Sequence, residues 1–252
     1  MSSLPFLHLP FLSQIEILNN LGFFDVTTLS TISNRCHTLI RSARPNQVDN
    51  LHWDYSLATG PSVFMRKGNK TLGKWETYSH ICKQNIERVL KLFRIKKQTL
   101  YMDTFFAVST LPVFKYVNKF ERVRIKLQSK ILRNIAQDAM DFFLDQLQVR
   151  ELQIYTSNFE GKKYKKFISV IVKKWMSREG LEHLEKLEYK FIRGETDLDL
   201  RNIETVQIDE TLRPLKIKTE TSDIVRDIKR KDGKIATLVL KNDRFKVLVW
   251  PY

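Results

Sequence analysis

The sequence has few cysteines and no long hydrophobic run, and each shortage excludes a class of protein. Cys36 and Cys82 are the only cysteines, and neither has a Cys or His neighbour at a spacing suited to a metal site. A disulfide framework is therefore excluded, and a reducing compartment is predicted. No apolar run approaches the roughly 20 residues that a membrane-spanning helix needs. Because the N-terminus also lacks a signal-peptide pattern, the expected location is the cytoplasm, the nucleus or both.

Patterns for catalysis and for cofactor binding are lacking as well. The five histidines are scattered, and none forms an H-x-x-x-H metal pair. The chain has no P-loop, no G-x-S-x-G and no G-x-G-x-x-G, and only eight glycines with which to build a phosphate-binding loop. His80 and Cys82 lie two positions apart on a predicted helix, so their side chains do not face each other. We therefore expect no catalytic residue, no metal and no cofactor.

Positive charge is the main excess in the composition. The 43 Lys and Arg outnumber the 28 Asp and Glu, and the formal net charge is +15. Such an excess favours acidic partners, which include nucleic acid, anionic lipid and acidic protein surfaces, and it does not choose among them. The 42% hydrophobic content predicts an ordered chain with one large domain or two small ones.

Three short helices are predicted between Leu9 and Ile40. Pro10 suits the first position of the first helix, and Gly22 is a natural stop after it. Asp25 is expected to cap the second helix and Ser33 the third. This segment has more apolar residues than so small a unit can bury, so it needs a partner surface.

The same segment resembles an F-box, the module that docks substrate receptors on the Skp adaptor of cullin-RING ubiquitin ligases. The resemblance is carried by Leu9, Pro10, Ile17, Leu18, Leu21, Asp25, Val26, Leu29, Ile32, Ser33, Arg35 and Leu39, and the aromatic residue common in the last helix is absent. It implies an F-box over residues 1–45. The adaptor-binding residues that it implies are Leu9, Pro10, Phe11, Leu12, Ile15, Leu18, Leu21, Leu29 and Ile32. For Leu18 and Leu29, holding the helices together is an equal alternative.

Residues 46–118 are predicted to form a connecting region of mixed strand and helix. Two short strands, 47–55 and 62–66, are separated by the turn signal around Gly60. A helix is expected at 77–93 because its apolar residues recur at helical spacing, and a further strand at 99–103.

A degenerate repeat follows in residues 119–252. An L-x-x-L-x-L arrangement of apolar residues recurs four times, at 120–125, 149–154, 184–189 and 203–208. Helical patterns at 131–147 and 165–177 separate the first three, which predicts a short, irregular, leucine-rich-repeat-like α/β array. Side chains alternate faces along a strand, so the residues between the buried ones should share an outer surface. These substrate-face candidates are Arg124, Lys126, Gln153, Tyr155, Glu188, Lys190, Gln207 and Asp209.

The C-terminal residues predict a β-hairpin, because Asp232-Gly233 is a strong turn signal between two strand patterns. A third strand is expected to end at Trp250. Residues 227–237, together with Phe245 and Val249-Trp250, resemble the ending of the nematode F-box-associated proteins of the second type. The helix end at 174–176 and the strand at 184–191 resemble that family too. The resemblance implies that residues 119–252 are an F-box-associated domain that recognises a substrate.

The predicted fold is therefore of mixed α+β and α/β class, with a helical F-box, an α/β array and a C-terminal β-hairpin. The two resemblances imply a non-catalytic, substrate-recognition subunit of a Skp-cullin-F-box ubiquitin ligase. Its expected partners are a Skp-type adaptor, cullin through that adaptor, and an unknown protein substrate, with no membrane. A basic run at 162–167 interleaves lysines with aromatic residues, which fits either a nucleic-acid surface or an amphipathic helix. A basic nucleic-acid-binding protein and a non-ligase interaction scaffold are the alternative functions.

Overall fold

The computed structural model of the chain divides into two compact units, Met1–Thr99 and Leu100–Tyr252. The residues that it describes are 5–43, 47–56, 60–76, 90–103, 112–115, 117–128, 148–157, 162–190, 203–208, 213–214, 224–241 and 244–251. The predicted helix at 131–147, most of the predicted helix at 77–93, and Asp209 lie outside these residues.

The first unit starts with a 3-10 turn at Pro5–His8 and three α-helices, α1 (Phe11–Asn20), α2 (Phe23–Ile32) and α3 (Asn34–Ala43). Ser33 caps α3 as predicted, because its Oγ accepts a hydrogen bond from the backbone N–H of Cys36 at 3.1 Å. The prediction that Asp25 caps α2 is wrong. Gly22 is the N-cap, and Asp25 lies in the first turn, where a carboxylate interacts favourably with the helix dipole.

The interior of the three helices is made by four side chains with no exposed surface, Leu18, Val26, Cys36 and Ile40. Burying one aliphatic side chain of this size contributes about 1.5–3 kcal/mol. The helices therefore hold together through these residues, and apolar residues on their other faces are not needed for that purpose.

The first unit continues with β1 (Gln47–Tyr55), β2 (Ser62–Lys67) and β3 (Lys70–Glu76), which pair antiparallel in the order β3-β2-β1. Strands β1 and β2 confirm the two predicted strands. A further strand, β4 (Arg94–Asp103), starts five residues before the predicted one at 99. Trp53 and Met65 are among the fully buried residues of this part of the chain.

The second unit contains β5 (Lys119–Gln128), β6 (Gln148–Ser157), helix α4 (Lys162–Ser177) and β7 (Lys186–Lys190). Three C-terminal strands complete it: β8 (Ile224–Lys229), β9 (Ile235–Lys241) and β10 (Arg244–Val249). The strand order in this unit is β5-β6-β7-β10-β9-β8, in which β5, β6 and β7 are parallel and the remaining pairs antiparallel. These six strands of the second unit therefore form a mixed sheet with parallel and antiparallel pairs.

The leucine-rich-repeat-like array is not confirmed. The first three repeat segments do lie on adjacent parallel strands in register, with Val123 opposite Leu152 and Leu152 opposite Leu187. The fourth segment forms no strand, and within 203–208 only Val206 pairs, through a single antiparallel bridge to Asp227. Strand β10 takes the place beside β7, because its buried Phe245 and Val247 complete the same apolar layer.

The predicted C-terminal hairpin is formed by β8 and β9, with Lys229 opposite Ile235. Gly233 in its turn has a φ of 92°, a conformation that glycine adopts without steric cost. The following strand, β10, ends at Val249. Short-range turn chemistry was therefore sufficient to predict this part of the fold.

Helix α4 packs one face into the second unit. Ile168, Ile171, Val172 and Trp175 are buried, whereas Val170 and Lys173 are exposed. This spacing supports the amphipathic-helix interpretation of the residues from 168 onward, and the side chains of 162–167 lie outside the description. None of the helices in the described ranges is long and apolar enough to cross a membrane.

Candidate docking surfaces

A set of exposed apolar side chains lies on the three N-terminal helices and the turn before them. Leu12 is 78% exposed, Ile32 53% and Phe11 51%, and Leu9 and Ile17 are also exposed. We call these five residues the exposed apolar set. Large apolar side chains with 38–78% of their surface exposed are only partly used in the interior, and several of them close together in sequence are typical of a docking surface.

The chain that enters α1 is held in place by two polar side chains. The buried Gln14 donates from Nε2 to the carbonyl oxygens of Phe6 at 3.2 Å and Leu9 at 2.9 Å. Arg35, on α3, donates from Nη2 to the carbonyl oxygen of Leu7 at 3.4 Å. The backbone around the exposed residues 9–12 is therefore fixed before any partner binds, which lowers the entropy cost of docking.

The sequence-predicted adaptor-binding residues are distributed unevenly over this surface. Leu9, Pro10, Phe11, Leu12 and Ile32 are exposed, and Ile15, Leu21 and Leu29 are half-buried. Leu18 has no exposed surface and belongs to the interior, which is the alternative role that the sequence left open. As adaptor-binding residues, all of these remain predictions.

Ile17 belongs to the exposed apolar set but is not one of the predicted adaptor-binding residues. Ile17 and Leu18 are neighbours on α1, and successive residues on a helix point about 100° apart. On α1 the two side chains have different surroundings, because Leu18 has no exposed surface and Ile17 is 38% exposed. The sequence gives both the same apolar character, so only the structure shows that Leu18 faces inward and Ile17 outward.

The second candidate surface is the polar face of β5, β6 and β7. The register aligns Arg124, Gln153 and Glu188 in one row and Lys126, Tyr155 and Lys190 in the next. Six of the eight substrate-face candidates are thus neighbours, as the repeat pattern predicted. Gln207 is exposed on a separate segment, and Asp209 lies outside the described residues.

Most of these six side chains are engaged with one another. Gln153 Oε1 accepts hydrogen bonds from Arg124 Nε and from the Tyr155 hydroxyl, both at 3.1 Å. The Arg124 guanidinium and the Lys190 ammonium lie 5.5 Å and 5.3 Å from the centre of the Tyr155 ring, within the range of cation–π attraction. Gln153 and Glu188 are less than a tenth exposed. This face is therefore a polar surface that is ordered before a partner binds. The groups that a partner can reach on it are the cationic side chains.

Strand β10 extends the same face, and sequence reasoning did not include it. Lys246 stands opposite Glu188, Arg244 opposite Lys190, and Leu248 opposite Lys186. The alternation of Arg244, Lys246 and Leu248 with buried residues was visible in the sequence. What the sequence lacked was the strand order, which places β10 beside β7.

A buried chain of hydrogen bonds fixes one end of this face. The Trp250 indole N–H donates to Thr237 Oγ1 at 2.9 Å, and the Thr237 hydroxyl donates to Asp227 Oδ1 at 2.7 Å. Arg213 donates to Asp227 Oδ2 from Nη2 at 2.7 Å and from Nε at 3.1 Å. We call these four residues the Asp227 network. Three of them, Asp227, Thr237 and Trp250, carry the resemblance at the C-terminus, and their role here is to anchor that segment.

A second ion pair holds the hairpin turn against α4. The Arg230 side chain is 3% exposed and donates to both carboxylate oxygens of Asp232, at 2.8 Å and 2.6 Å. It also donates to the carbonyl oxygen of Glu182 at 3.0 Å and lies 5.3 Å from the centre of the Trp175 ring. The hydrogen bonds from Arg230 hold the pKa of Asp232 well below its ordinary value of 3.8.

Replacing Asp232 with asparagine is therefore expected to lower the melting temperature at neutral pH. A carboxyl whose folded pKa is lowered stabilises the fold above 3.8, and this contribution is lost as the pH falls towards the lowered value. The difference between wild type and variant should shrink as the pH falls below 3.8. Thermal unfolding followed by circular dichroism over this pH range is the measurement. Glu204→Gln, at an exposed carboxylate of the same unit, is the control, and a variant difference that grows in acid would contradict the account.

A third polar cluster lies in the first unit. Phe64 has the Arg66 guanidinium 5.9 Å and the Lys74 ammonium 5.6 Å from its ring centre, with the His52 ring at 6.1 Å. His52 Nδ1 is 2.9 Å from Thr99 Oγ1. An aromatic ring between two cations is a pattern found in surfaces that bind single-stranded nucleic acid.

Metal chemistry finds no support in the described ranges, where no group of three or more His, Cys, Asp or Glu side chains is placed to hold an ion. Cys36 is a free thiol buried among the helices, and Cys82 lies outside the described residues. A buried thiol in apolar surroundings is inert, so Cys36 has a packing role.

Comparison with known proteins identifies the helical segment. Residues 6–47 match the F-box domain family. No curated protein and no solved structure matches the chain. F-box domains generally bind Skp-type adaptors, and F-box proteins are typically non-catalytic adaptor subunits of ubiquitin ligases. The match covers the turn and the three helices, which carry the exposed apolar set, so this segment of the chain is similar to an F-box domain.

Proposed function

We propose that the protein is the substrate-recognition subunit of a Skp-cullin-F-box ubiquitin ligase. The F-box would bind the Skp adaptor and, through it, cullin, while the unit Leu100–Tyr252 binds a protein substrate. The observation that carries the proposal is the exposed apolar set, because its members lie within the residues that match the F-box domain.

Binding to the adaptor would be driven by burial of these apolar side chains. Each fully buried Leu, Ile or Phe contributes about 1.5–3 kcal/mol, which suffices for a stable interface once several are covered. The exposed Arg35 and Arg41 on α3 add positive charge that would speed encounter with an acidic adaptor surface.

No chemical step is assigned to the chain itself. By holding a substrate close to the ubiquitin-transfer machinery, it would raise the effective concentration of the substrate's lysines. The working location that this role implies is the cytoplasm, the nucleus or both.

We further propose that the second unit contains an F-box-associated domain of the second type, of the kind found in nematode proteins. The support is that the residues carrying the resemblance have defined structural roles. Residues 227–237 form most of the β8–β9 hairpin, Trp250 is hydrogen-bonded to Thr237, and Trp175 packs under Arg230.

Affinity purification with the full chain as bait tests the proposed function. Wild type should recover a Skp-type adaptor and cullin together with substrate candidates. A double variant, Leu9→Asp with Phe11→Asp, should lose the adaptor and cullin but keep the proteins that bind the second unit. Recovery of the adaptor by both baits at equal yield would reject the docking surface, and its absence from both would reject the ligase role.

A nucleic-acid-binding function is the second candidate, and the Phe64 cluster favours it. If the cluster binds phosphate, the affinity for a single-stranded oligonucleotide should fall linearly with the logarithm of the salt concentration. Arg66→Ala with Lys74→Ala should reduce the slope by roughly two phosphate contacts. No oligonucleotide retention by wild type at moderate salt would reject this candidate.

A further inference from the structure

A groove with a volume of about 940 Å³ opens on the second unit, beside the C-terminal strands. Its walls come from the first residues of β5, β6 and β7, from the segment before β7, from β9 and β10, and from the last residues after β10. Six of its lining residues are cationic, namely Lys119, Arg150, Lys186, Lys234, Lys241 and Lys246. We call it the basic groove.

Part of the basic groove is apolar. Val239, Leu248 and the Trp250 ring line it, together with Pro214 and Pro251. The position of Trp250 is fixed by its hydrogen bond to Thr237, and Arg213, which directly precedes Pro214, is fixed by Asp227. The Asp227 network therefore anchors both Trp250 and the residue next to Pro214, so this wall of the groove is preformed.

The net charge of the residues that line the basic groove is positive, although several of them form ion pairs. Of the three lining glutamates, Glu185 pairs with Arg150 at 2.8 Å and Glu151 with Arg122 at 2.6 Å. Lys186 is within 3.6 Å of Glu188. The six cationic residues of the lining outnumber its three glutamates, so positive charge is in excess next to the apolar residues.

We propose that the basic groove binds an acidic segment of a partner protein. Carboxylates of that segment would lie against Lys186, Lys241 and Lys246, and one apolar side chain would pack on Val239, Leu248 and Trp250. An extended peptide suits this shape, because its alternating side chains can address the lysines and the floor in turn. If the proposed function is correct, this partner is the substrate of the ubiquitin ligase, and that identification rests on the proposed function. The binding of an acidic segment does not depend on it.

The lining favours an acidic peptide over a nucleic acid. A nucleic-acid strand carries one negative charge at every phosphate and needs cations along its whole length, whereas the cations of this groove are interspersed with glutamates at 151, 182 and 185. A peptide can place its carboxylates only where the lysines stand. Among the described lining residues Trp250 is the one Phe, Tyr or Trp, whereas single-strand binding surfaces stack successive bases on several aromatic rings.

Fluorescence anisotropy on the full chain tests the proposal. The probe is a short fluorescein-labelled peptide in which aspartates and glutamates flank a single phenylalanine, and its matched counterpart has lysines in place of the acids. Wild type should bind the acidic probe and not the basic one. Lys186→Ala with Lys246→Ala should weaken binding by about tenfold, because two charge-assisted contacts are lost.

The matched control is Lys229→Ala, at an exposed lysine on β8 that does not line the groove. It should bind the acidic probe like wild type. A second variant, Trp250→Ala, should also weaken binding, and Trp250→Phe should retain more of it because the ring is kept. Circular dichroism on each variant shows whether the fold is intact.

Three results would overturn the proposal. They are equal binding of the acidic and basic probes, equal affinities of the double variant and Lys229→Ala, and binding of a single-stranded oligonucleotide at the groove in place of the acidic probe. Adaptor binding is measured in parallel. Probe binding without adaptor binding would reject the ligase role and leave the groove proposal standing. Adaptor binding without probe binding would reject only the groove proposal.

Discussion

Replacing Leu12 with aspartate is expected to weaken binding of a Skp-type adaptor by about 100-fold, with no loss of fold. The Leu12 side chain is 78% exposed in the free protein, so it contributes little to the stability of the helices. Within an interface it would be covered, and truncating a well-buried interface residue costs about 2 kcal/mol or more. An aspartate adds the cost of removing a charge from water.

Ile224→Asp is the matched control for this prediction. Ile224 is 53% exposed and lies on β8 in the second unit, so the same change from an apolar to a charged side chain occurs away from the F-box. Surface plasmon resonance with immobilised adaptor compares the two variants with wild type. We expect Ile224→Asp to bind like wild type, and an unchanged affinity of Leu12→Asp would show that Leu12 lies outside the interface.

Replacing Asp227 with alanine is expected to destabilise the protein by about 3–5 kcal/mol. The Asp227 side chain is 1% exposed and the Arg213 side chain 13%, so removing the carboxylate leaves a guanidinium largely buried without its counter-charge. The Thr237 hydroxyl, which is fully buried, loses the acceptor of its hydrogen bond in the same step. Losses of this size are near the upper end for single substitutions.

Urea unfolding of Asp227→Ala and of three comparison variants measures this effect. Thr237→Val removes two hydrogen bonds, one to Asp227 and one from Trp250, and leaves the ion pair, so it should cost about 2 kcal/mol. Asp227→Leu with Arg213→Leu removes both charges, and it should be less destabilised than Asp227→Leu alone because no unpaired charge is left. A loss below about 1 kcal/mol for Asp227→Ala would mean that the ion pair is not formed in solution.

Local sequence signals predicted much of the fold in the described residues. The cap at Ser33, the strands β1 and β2 and the turn at Gly233 depend on neighbours within a few positions, and all three were predicted correctly. The cap predicted at Asp25 was wrong, and the N-cap lies three residues earlier, at Gly22. Sequence signals that span only a few residues predict the presence of a helix or strand well, but they predict its first and last residues less well.

Long-range pairing was the part that the sequence did not contain. The repeat pattern correctly placed β5, β6 and β7 side by side, because each carries the same spacing of buried residues. The same pattern predicted a fourth strand at 203–208. In the structure the strand that pairs with β7 on that side is β10. Both segments have alternating apolar residues, and only the energy of the completed sheet decides between them.

For the candidate sites too, the sequence predicted the features that depend on near neighbours and missed those that depend on long-range pairing. Six of the eight substrate-face candidates follow from alternation along β5, β6 and β7, but the low exposure of Gln153 and Glu188 depends on side-chain packing across the strands. The basic groove was missed because Lys186, Lys246 and Trp250 come together only through the pairing of β10 with β7 and β9. The composition showed the excess of positive charge, but it did not show where in the fold that charge is concentrated.

The binding of a purified Skp-type adaptor to the purified full chain tests the central claim most directly. Isothermal titration calorimetry gives both the affinity and the stoichiometry of this step. The account predicts a one-to-one complex with a Kd of about 1 μM or tighter, and a negative heat-capacity change from the burial of Phe11, Leu12 and their apolar neighbours. No measurable binding, or binding that Leu12→Asp leaves unaltered, would contradict it.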